Sequence, residues 1–169
     1  VCTSLKEDIS ENSMHWGSLY DWGMTGLLPV LQLLGTNYEG KKLISSLDEN
    51  HLDRFTEIIL KYQNAVATVR AATGVKSEGE LVISGTEGYI YVPAPWWKTD
   101  YFEIRFEHPE NNKRYFYQLE GEGIRNELVE FVKRITSGNY KSFFIEQNIA
   151  EALSEVSEDF ENEIDLLKI

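Results

Sequence analysis

Apolar residues recur with a helical period near the start of the chain and again in its last third. The first stripe repeats at i, i+3, i+4 and i+7, and Gly35 follows it as a stop signal: Leu27, Val30, Leu31 and Leu34. Pro29 lies inside this stripe and cannot donate to the carbonyl of Thr25, so we expect a kink or a helix start close to Thr25. Two later stripes predict two more helices: Ile124, Leu128, Val132 and Ile135, then Ile149, Leu153, Val156 and Phe160.

Between residues 38 and 120 the period changes to two, which indicates strands. The clearest alternation runs over residues 101–107, where apolar and charged side chains take turns. The pattern predicts strands at 41–47, 54–62, 65–71, 80–84, 89–92, 101–107 and 114–119. Short polar connections such as Gln63-Asn64 join consecutive strands, which indicates antiparallel hairpins.

A run of strands with helices at both ends predicts an α+β fold. We expect a largely antiparallel open β-sheet with helices packed on one face, forming one domain over residues 1–160. Residues 161–169 are expected to form an acidic tail that is frayed or disordered. The chain opens at Val1 on a run that resembles the interior of a strand, so we interpret it as a fragment of a longer protein.

The acidity of the chain excludes several classes of partner. Residues 146–169 contain eight acidic residues and one lysine, so more than half of the net charge of −12 lies in this last segment. A strongly negative chain has no electrostatic reason to bind nucleic acid or an anionic membrane surface. The single cysteine, Cys2, excludes an internal disulfide framework, and we expect a reducing, cytoplasmic compartment.

The sequence shows no residues spaced as metal ligands and no motif of a catalytic nucleophile. His15, His51 and His108 are scattered, without ligand spacing, and no serine lies in a G-x-S-x-G turn. The segment 121–123, Gly-Glu-Gly, imitates the start of a dinucleotide fingerprint. However, Asn126 occupies the third glycine position, and a hairpin rather than a parallel unit precedes it. We therefore expect a turn whose glycines adopt positive φ, and no cofactor or metal site in this chain.

Two segments carry candidate binding residues. Trp96, Trp97 and Lys98 follow two prolines, and flat indole faces suit either sugar rings or a packed interface. The second segment opens the first helix at 17–23 with the residues Gly-Ser-Leu-Tyr-Asp-Trp-Gly. Asp21 in this segment is placed either to stabilise the helix N-terminus or to line a pocket.

The segment 17–23 and the apolar helix after it resemble the start of the C-terminal domain of the Gfo/Idh/MocA oxidoreductases. This family includes glucose–fructose oxidoreductase and inositol dehydrogenase. The strands at 65–67 and 79–90, the turn 122–125 and the last helix are also similar to the family, so the resemblance covers roughly residues 1–160. It implies a missing N-terminal Rossmann domain that binds NAD or NADP and supplies a catalytic lysine. It also implies a sugar or polyol substrate between the domains, and an open sheet face that builds a homodimer or homotetramer.

The family's helix often reads D-x-G-x-H/Y-x-x-D, and Asp21 and Gly23 match it here. Thr25 stands in place of the histidine or tyrosine, and Leu28 replaces the last aspartate. The resemblance therefore implies catalytic roles for Asp21 and Thr25, although threonine has no useful pKa near neutrality for proton transfer. The candidate substrate-binding residues are Tyr20, Asp21, Thr25, Trp96, Trp97 and Lys98.

The function predicted from the sequence is the substrate-binding and oligomerisation domain of an NAD(P)-dependent oxidoreductase. The chain alone, without the nucleotide-binding domain, is expected to be inactive. The alternative is a noncatalytic dimerisation or carbohydrate-binding module that uses the open sheet face and the two tryptophans at 96 and 97.

Overall fold

A computed structural model describes residues 2–5, 17–118, 121, 123–139 and 145–169. The strands in this part of the chain are β1 (Cys2–Leu5), β2 (Gly40–Leu47), β3 (Asp53–Lys61), β4 (Val66–Thr73), β5 (Leu81–Ser84), β6 (Gly88–Val92), β7 (Tyr101–Phe106), β8 (Lys113–Phe116) and β9 (Leu166–Lys168). The helices are α1 (Met24–Leu34), α2 (Ile124–Ser137) and α3 (Gln147–Glu161), with a π-helical turn at Leu19–Gly23 and a 3-10 turn at Pro109–Asn111. The chain divides into a first unit, Val1–Ser77 with Ile145–Ile169, and a second unit, Glu78–Phe144.

The first unit contains a five-stranded sheet in the order β1-β4-β3-β2-β9. Its three inner strands pair antiparallel, because the short polar connections close them into hairpins. The two edge strands, β1 and β9, pair parallel to their neighbours. The α+β prediction is confirmed, and the strands are divided between this sheet and a second one.

The core of the first unit lies between one face of its sheet and the helices. Strand β3 alternates as predicted: Thr56, Ile58 and Leu60 are buried, and the residues between them are less covered. Leu19, Leu27, Leu31, Leu43, Ile58, Leu60, Val69 and Val156 are all at most 1% exposed and form the centre of this core. Burial of such side chains stabilises the fold by roughly 1.5–3 kcal/mol each.

The first helix begins and ends close to where its sequence predicts. A π-helical turn runs to Gly23, and α1 starts at Met24, one residue from Thr25. Pro29 is the sixth residue of α1 and lies inside the helix, so its missing N–H removes the ladder bond to the carbonyl of Thr25. Gly35 ends the helix at φ 82°, and its N–H donates to the carbonyl of Leu31 at 3.0 Å.

The end of the chain differs from the prediction of a frayed acidic tail. Residues 166–168 form β9, which pairs parallel with β2 and places Leu166 against the core. Backbone hydrogen bonds fix the strand at both ends: Leu43 N–H donates to Asp165 at 2.9 Å, and Ile169 N–H donates to Ser45 at 2.9 Å. The prediction was wrong because it followed charge alone, whereas β2 offers an unpaired edge with which Leu166, Leu167 and Lys168 can pair.

The second unit contains a four-stranded antiparallel sheet in the order β5-β6-β7-β8. Helix α2 follows this sheet, and every residue in its apolar stripe is more than half exposed: Ile124, Leu128, Phe131, Val132 and Ile135. The turn before α2 adopts the predicted conformation at the two glycines that the structure describes, Gly121 at φ 72° and Gly123 at φ 88°. Glu122 lies outside the described residues.

Candidate functional site

The residues that the sequence pointed to at the first helix lie on one short stretch of the first unit. Tyr20 and Asp21 belong to the π-helical turn, and Thr25 lies in the first turn of α1. Asp21 is half-buried and Thr25 is exposed, so this side of the helix is open. Since π-helical turns inside longer helices are frequent at functional sites, the local geometry supports this stretch as a candidate site.

The start of this helix is capped by a carboxylate from a neighbouring strand. Asp53, at the beginning of β3, is 4% exposed. Its Oδ2 accepts hydrogen bonds from Leu19 N–H at 2.7 Å and from Ser18 Oγ at 2.6 Å. The sequence analysis considered Asp21 for this capping role; the carboxylate that accepts the orphan N–H of Leu19 is instead that of Asp53.

The same carboxylate leaves no space for a side chain at Gly17. A Cβ built on Gly17 would lie 1.5 Å from Asp53 Oδ1, which is far inside van der Waals contact. The glycine therefore serves close approach of the chain to Asp53, rather than an unusual backbone angle. A negative charge at this position also interacts favourably with the N-terminal end of the helix dipole.

A buried polar network continues from Asp53 into the sheet. Thr56 Oγ1 donates to Asp53 Oδ2 at 2.7 Å and lies 3.0 Å from Ser45 Oγ. Ser45 Oγ in turn donates to the carbonyl of Phe55 at 2.9 Å. The network thus joins the helix start to β2 and β3, and it fixes the backbone of the π-helical turn against the sheet.

Tyr20 acts as a tether between this turn and α3. Its hydroxyl donates to Glu161 Oε1 at 2.5 Å and accepts a hydrogen bond from Ser157 Oγ at 3.1 Å. Burial, followed by the hydrogen bond to the Glu161 carboxylate, raises the pKa of Tyr20 above its ordinary value. The hydroxyl proton is therefore held by the protein's own carboxylate.

The second predicted group, Trp96, Trp97 and Lys98, lies in a turn of the second unit. Lys98 N–H donates to the carbonyl of Pro95 at 2.9 Å, and Trp96 N–H donates to that of Gly79 at 2.7 Å. The two indoles are edge-to-face with centroids 6.0 Å apart. Trp96 Nε1 is buried without a hydrogen-bond partner in the described part of the chain. The two indoles therefore pack against each other, and the N–H of Trp96 Nε1 is a donor without an acceptor among the described residues.

An ion-pair ladder on one face of the second sheet was not singled out from the sequence. Glu103 accepts a hydrogen bond from Arg105 Nε at 2.6 Å and one from Arg114 Nε at 2.7 Å. The guanidinium of Arg105 lies 4.4 Å from the ring centroid of Tyr91, and that of Arg114 lies 4.9 Å from the ring of Tyr101. These hydrogen bonds lower the pKa of Glu103. The alternation along residues 101–107 already placed Glu103 and Arg105 on one face, so the strand pattern carried the signal.

The described residues contain no cluster of three or more His, Cys, Asp or Glu side chains arranged to hold a metal ion. Among the helices of the described ranges, none is long and apolar enough to cross a bilayer.

No family model matches this chain. No curated protein matches it either. Solved structures do share its fold. KijD10, a 3-ketoreductase from Actinomadura kijaniata in complex with NADP and TDP-benzene, has a TM-score of 0.76 at 11% identity, over 99% of this chain and 54% of that one. For the UDP-N-acetylglucosamine 3-dehydrogenase GnnA from Acidithiobacillus ferrooxidans, the TM-score is 0.70 at 11% identity, over 98% and 52%.

The aldose-aldose oxidoreductase from Caulobacter crescentus complexed with glycerol has a TM-score of 0.72 at 13% identity, over 97% of this chain and 52% of its own. This chain thus spans about half the length of each of these three structures. All three are sugar oxidoreductases of the Gfo/Idh/MocA type, the family that the sequence resembles. At these identities the likeness establishes a shared α+β fold.

Proposed function

We propose that this chain is the C-terminal, substrate-binding domain of an NAD(P)-dependent oxidoreductase that acts on a sugar, a polyol or a derivative. The observation that carries the proposal is the match of 99% of the chain to about half of a 3-ketoreductase whose structure contains NADP and TDP-benzene. The residues at the first helix, which resemble the family's motif, support the same function independently of the fold comparison.

In this proposal the π-helical turn presents the polar groups that orient the substrate. The half-buried carboxylate of Asp21 accepts a hydrogen bond from a substrate hydroxyl, and the exposed Thr25 hydroxyl binds a second one from the next turn of the helix. The network around Asp53 holds the backbone of this turn in place. Tyr20 supports the turn through its bond to Glu161 and does not contact the substrate.

Nicotinamide chemistry is assigned to a separate N-terminal domain. When bound, the nicotinamide accepts or donates the hydride. The antiparallel pairing of β8 with β7 argues against a dinucleotide site at the turn of Gly121 and Gly123, since the described residues around the turn form no parallel strand–helix–strand unit. A proton acceptor for the substrate hydroxyl is also assigned to that domain, since Thr25 has no useful pKa for this role.

Calorimetry tests whether NADP binds to this chain or to the proposed N-terminal domain. NADP is titrated into the 169-residue chain and into the longer gene product that we propose to contain it. We expect the longer protein alone to bind and, with a sugar, to catalyse turnover. Tight binding of NADP by the 169-residue chain would overturn the assignment of the cofactor to another domain. Lack of binding by both proteins would favour an assembly module.

A noncatalytic assembly module is the second candidate function. The apolar stripe of α2 favours it, because five large apolar side chains on one helix face are more than half exposed. Sedimentation equilibrium of the chain, with Leu128→Lys as the variant, tests this candidate. Dimerisation that the variant abolishes would support it, and a monomer at high micromolar concentration would refute it.

A further inference from the structure

A depression lies at one end of the second sheet, and none of its lining residues has been assigned a role so far. It measures about 500 Å³, and the described residues that line it are Asp100, Phe116, Tyr117 and Gln118. Asp100 lies just before β7, and the other three residues are at the end of β8 and directly after it. The volume is within the range of about 300–1,000 Å³ that is typical of small-molecule sites.

Two neighbouring aromatic side chains are exposed at this depression. Phe116 is 70% exposed and Tyr117 is 47% exposed, which is high for side chains of this size. The Phe116 ring is held in position, because it packs on Tyr101 with centroids 5.8 Å apart and ring planes at 36°. The guanidinium of Arg114 lies 6.0 Å from its centroid. The depression therefore has a preformed, flat apolar wall.

Hydrogen bonds also join the backbone segments that carry the polar side chains of the depression. Tyr117 N–H donates to the carbonyl of Asp100 at 2.8 Å, which joins the two lining segments. The residue before Asp100, Thr99, is 7% exposed, and its hydroxyl donates to the carbonyl of Tyr101 at 3.2 Å. The side chains of Asp100 and Gln118 are exposed. A carboxylate and an amide thus stand beside the aromatic wall.

We propose that this depression is a binding site for a neutral sugar. The apolar face of a sugar ring, formed by its C–H groups, packs on the ring of Phe116 or Tyr117. The sugar hydroxyls donate to the Asp100 carboxylate and exchange hydrogen bonds with the Gln118 amide. The site belongs to the second unit and uses none of the residues that the proposed function assigns to the substrate, so it goes beyond that function and does not depend on cofactor chemistry.

The charges around the depression select this class of ligand. A phosphate or carboxylate ligand would be repelled by Asp100, which carries a like charge. A cationic ligand would compete with the protein's own Arg114, which already lies over the rings of Tyr101 and Phe116. A neutral ring with several hydroxyl groups can pack on the flat aromatic wall and hydrogen-bond to the two polar side chains.

The test is a titration of the 169-residue chain, followed by two-dimensional NMR, with D-glucose, D-galactose and N-acetylglucosamine as probes. We expect the amide signals of residues 100 and 116–118 to shift for at least one sugar. Asp100→Asn and Phe116→Ala should each weaken that binding about tenfold or more, since each removes one of the two recognition elements. Glu110→Gln and Tyr115→Ala are the matched controls, being an exposed carboxylate and an aromatic residue in the same unit that do not line the depression.

Choline and glucose 1-phosphate complete the test as cationic and anionic probes. The proposal is overturned if none of the three sugars shifts these signals, if choline or glucose 1-phosphate shifts them at lower concentration than any sugar, or if the control variants lose as much affinity as the lining variants. Retained amide dispersion shows that each variant is folded. NADP titration of the longer protein carrying Asp100→Asn separates the two proposals, because cofactor binding is expected to be unchanged.

Discussion

Replacement of Asp53 by alanine is the most informative perturbation of the first unit. The carboxylate accepts three buried hydrogen bonds at Oδ2, from Leu19 N–H, Ser18 Oγ and Thr56 Oγ1. In the alanine variant the Leu19 N–H loses its acceptor, which costs about 1–3 kcal/mol for a buried donor. This hydrogen bond is itself the helix cap, so the loss of the cap is already included in that figure.

The Asp53→Ala substitution also removes the hydrogen-bond acceptor of two hydroxyl groups, and the loss is not equal for the two. Thr56 Oγ1 keeps a neighbour in Ser45 Oγ at 3.0 Å, whereas Ser18 Oγ has no other acceptor among the hydrogen bonds of the described residues. We therefore expect Asp53→Ala to lower the free energy of unfolding by about 3–5 kcal/mol, a large part of the roughly 5–15 kcal/mol typical of a domain. Asp53→Asn keeps one acceptor oxygen and should cost about 1–2 kcal/mol.

The assay is urea unfolding followed by NMR, with the amide signals of Leu43, Ile58 and Val69 as reporters, because these residues lie in the core of the first unit. Glu57→Ala is the matched control on the same strand. Its carboxylate accepts a hydrogen bond from Arg70 at 3.0 Å on the other face, where the arginine side chain is 58% exposed. Such a pair is worth less than about 1 kcal/mol.

The reasoning is refuted if Asp53→Ala destabilises the first unit no more than Glu57→Ala does. A further check uses Gly17. Gly17→Ala should be strongly destabilising in the natural chain, because its Cβ would overlap the Asp53 carboxylate. In the Asp53→Ala background most of this penalty should disappear, so the two changes should be far from additive. Additive effects would contradict the close approach.

Three other predictions concern different parts of the molecule. Tyr20→Phe should lower the free energy of unfolding by about 1 kcal/mol in urea, because the hydrogen bond to Glu161 is lost. The affinity of the π-helical turn for its sugar substrate should stay unchanged. Deletion of residues 166–169 should lower the urea midpoint of the first unit clearly, since it removes β9 and uncovers part of the core. Glu103→Gln should flatten the acid unfolding profile of the second unit, because the lowered pKa of Glu103 gives stability above its ordinary pKa that is lost as the pH falls through the lowered one.

Each of these has an outcome that contradicts it. A loss of sugar affinity without a loss of stability in Tyr20→Phe would make the residue a ligand contact. An unchanged midpoint after the deletion would return the last residues to a frayed tail. For the acid profile the control is Glu107→Gln, a glutamate at the end of the same strand without an ion-pair partner in the described part of the chain. An equal effect of the two substitutions would contradict a special role for the two arginines.

Local patterns predicted the elements well because alternation and helical stripes directly record which face is buried. The strand predicted at 54–62 is β3, Asp53–Lys61, and the helix predicted to end at Gly35 does end there. Proline and glycine gave the boundaries, since their backbone restrictions are local. The hairpin at Gln63-Asn64 was predicted from the short polar connection between two strands, which is also a local signal.

The features that were missed depend on contacts between distant parts of the chain. Asp53 looks like an ordinary turn residue in the sequence, and its partner Ser18 lies 35 positions earlier. Nothing periodic links the two, so Asp21, within the helix motif, was the aspartate considered for the cap, beside its possible place in a pocket. Strand β9 was missed because it is only three residues long and follows an acidic segment. Its pairing with β2 is a tertiary contact that charge and composition do not reveal.

The first unit is discontinuous, with residues 78–144 inserted between its two parts. During translation the strands β1 to β4 and the helix α1 therefore leave the ribosome well before α3 and β9 do. Until residues 145–169 are synthesised, the side chains that Ile149 and Val156 cover remain open to water, and the edge of β2 has no partner. The nascent chain thus carries an incomplete core while the whole second unit is made. Synthesis of residues 145–169, rather than emergence of the first helix, is the event that completes the core of this unit.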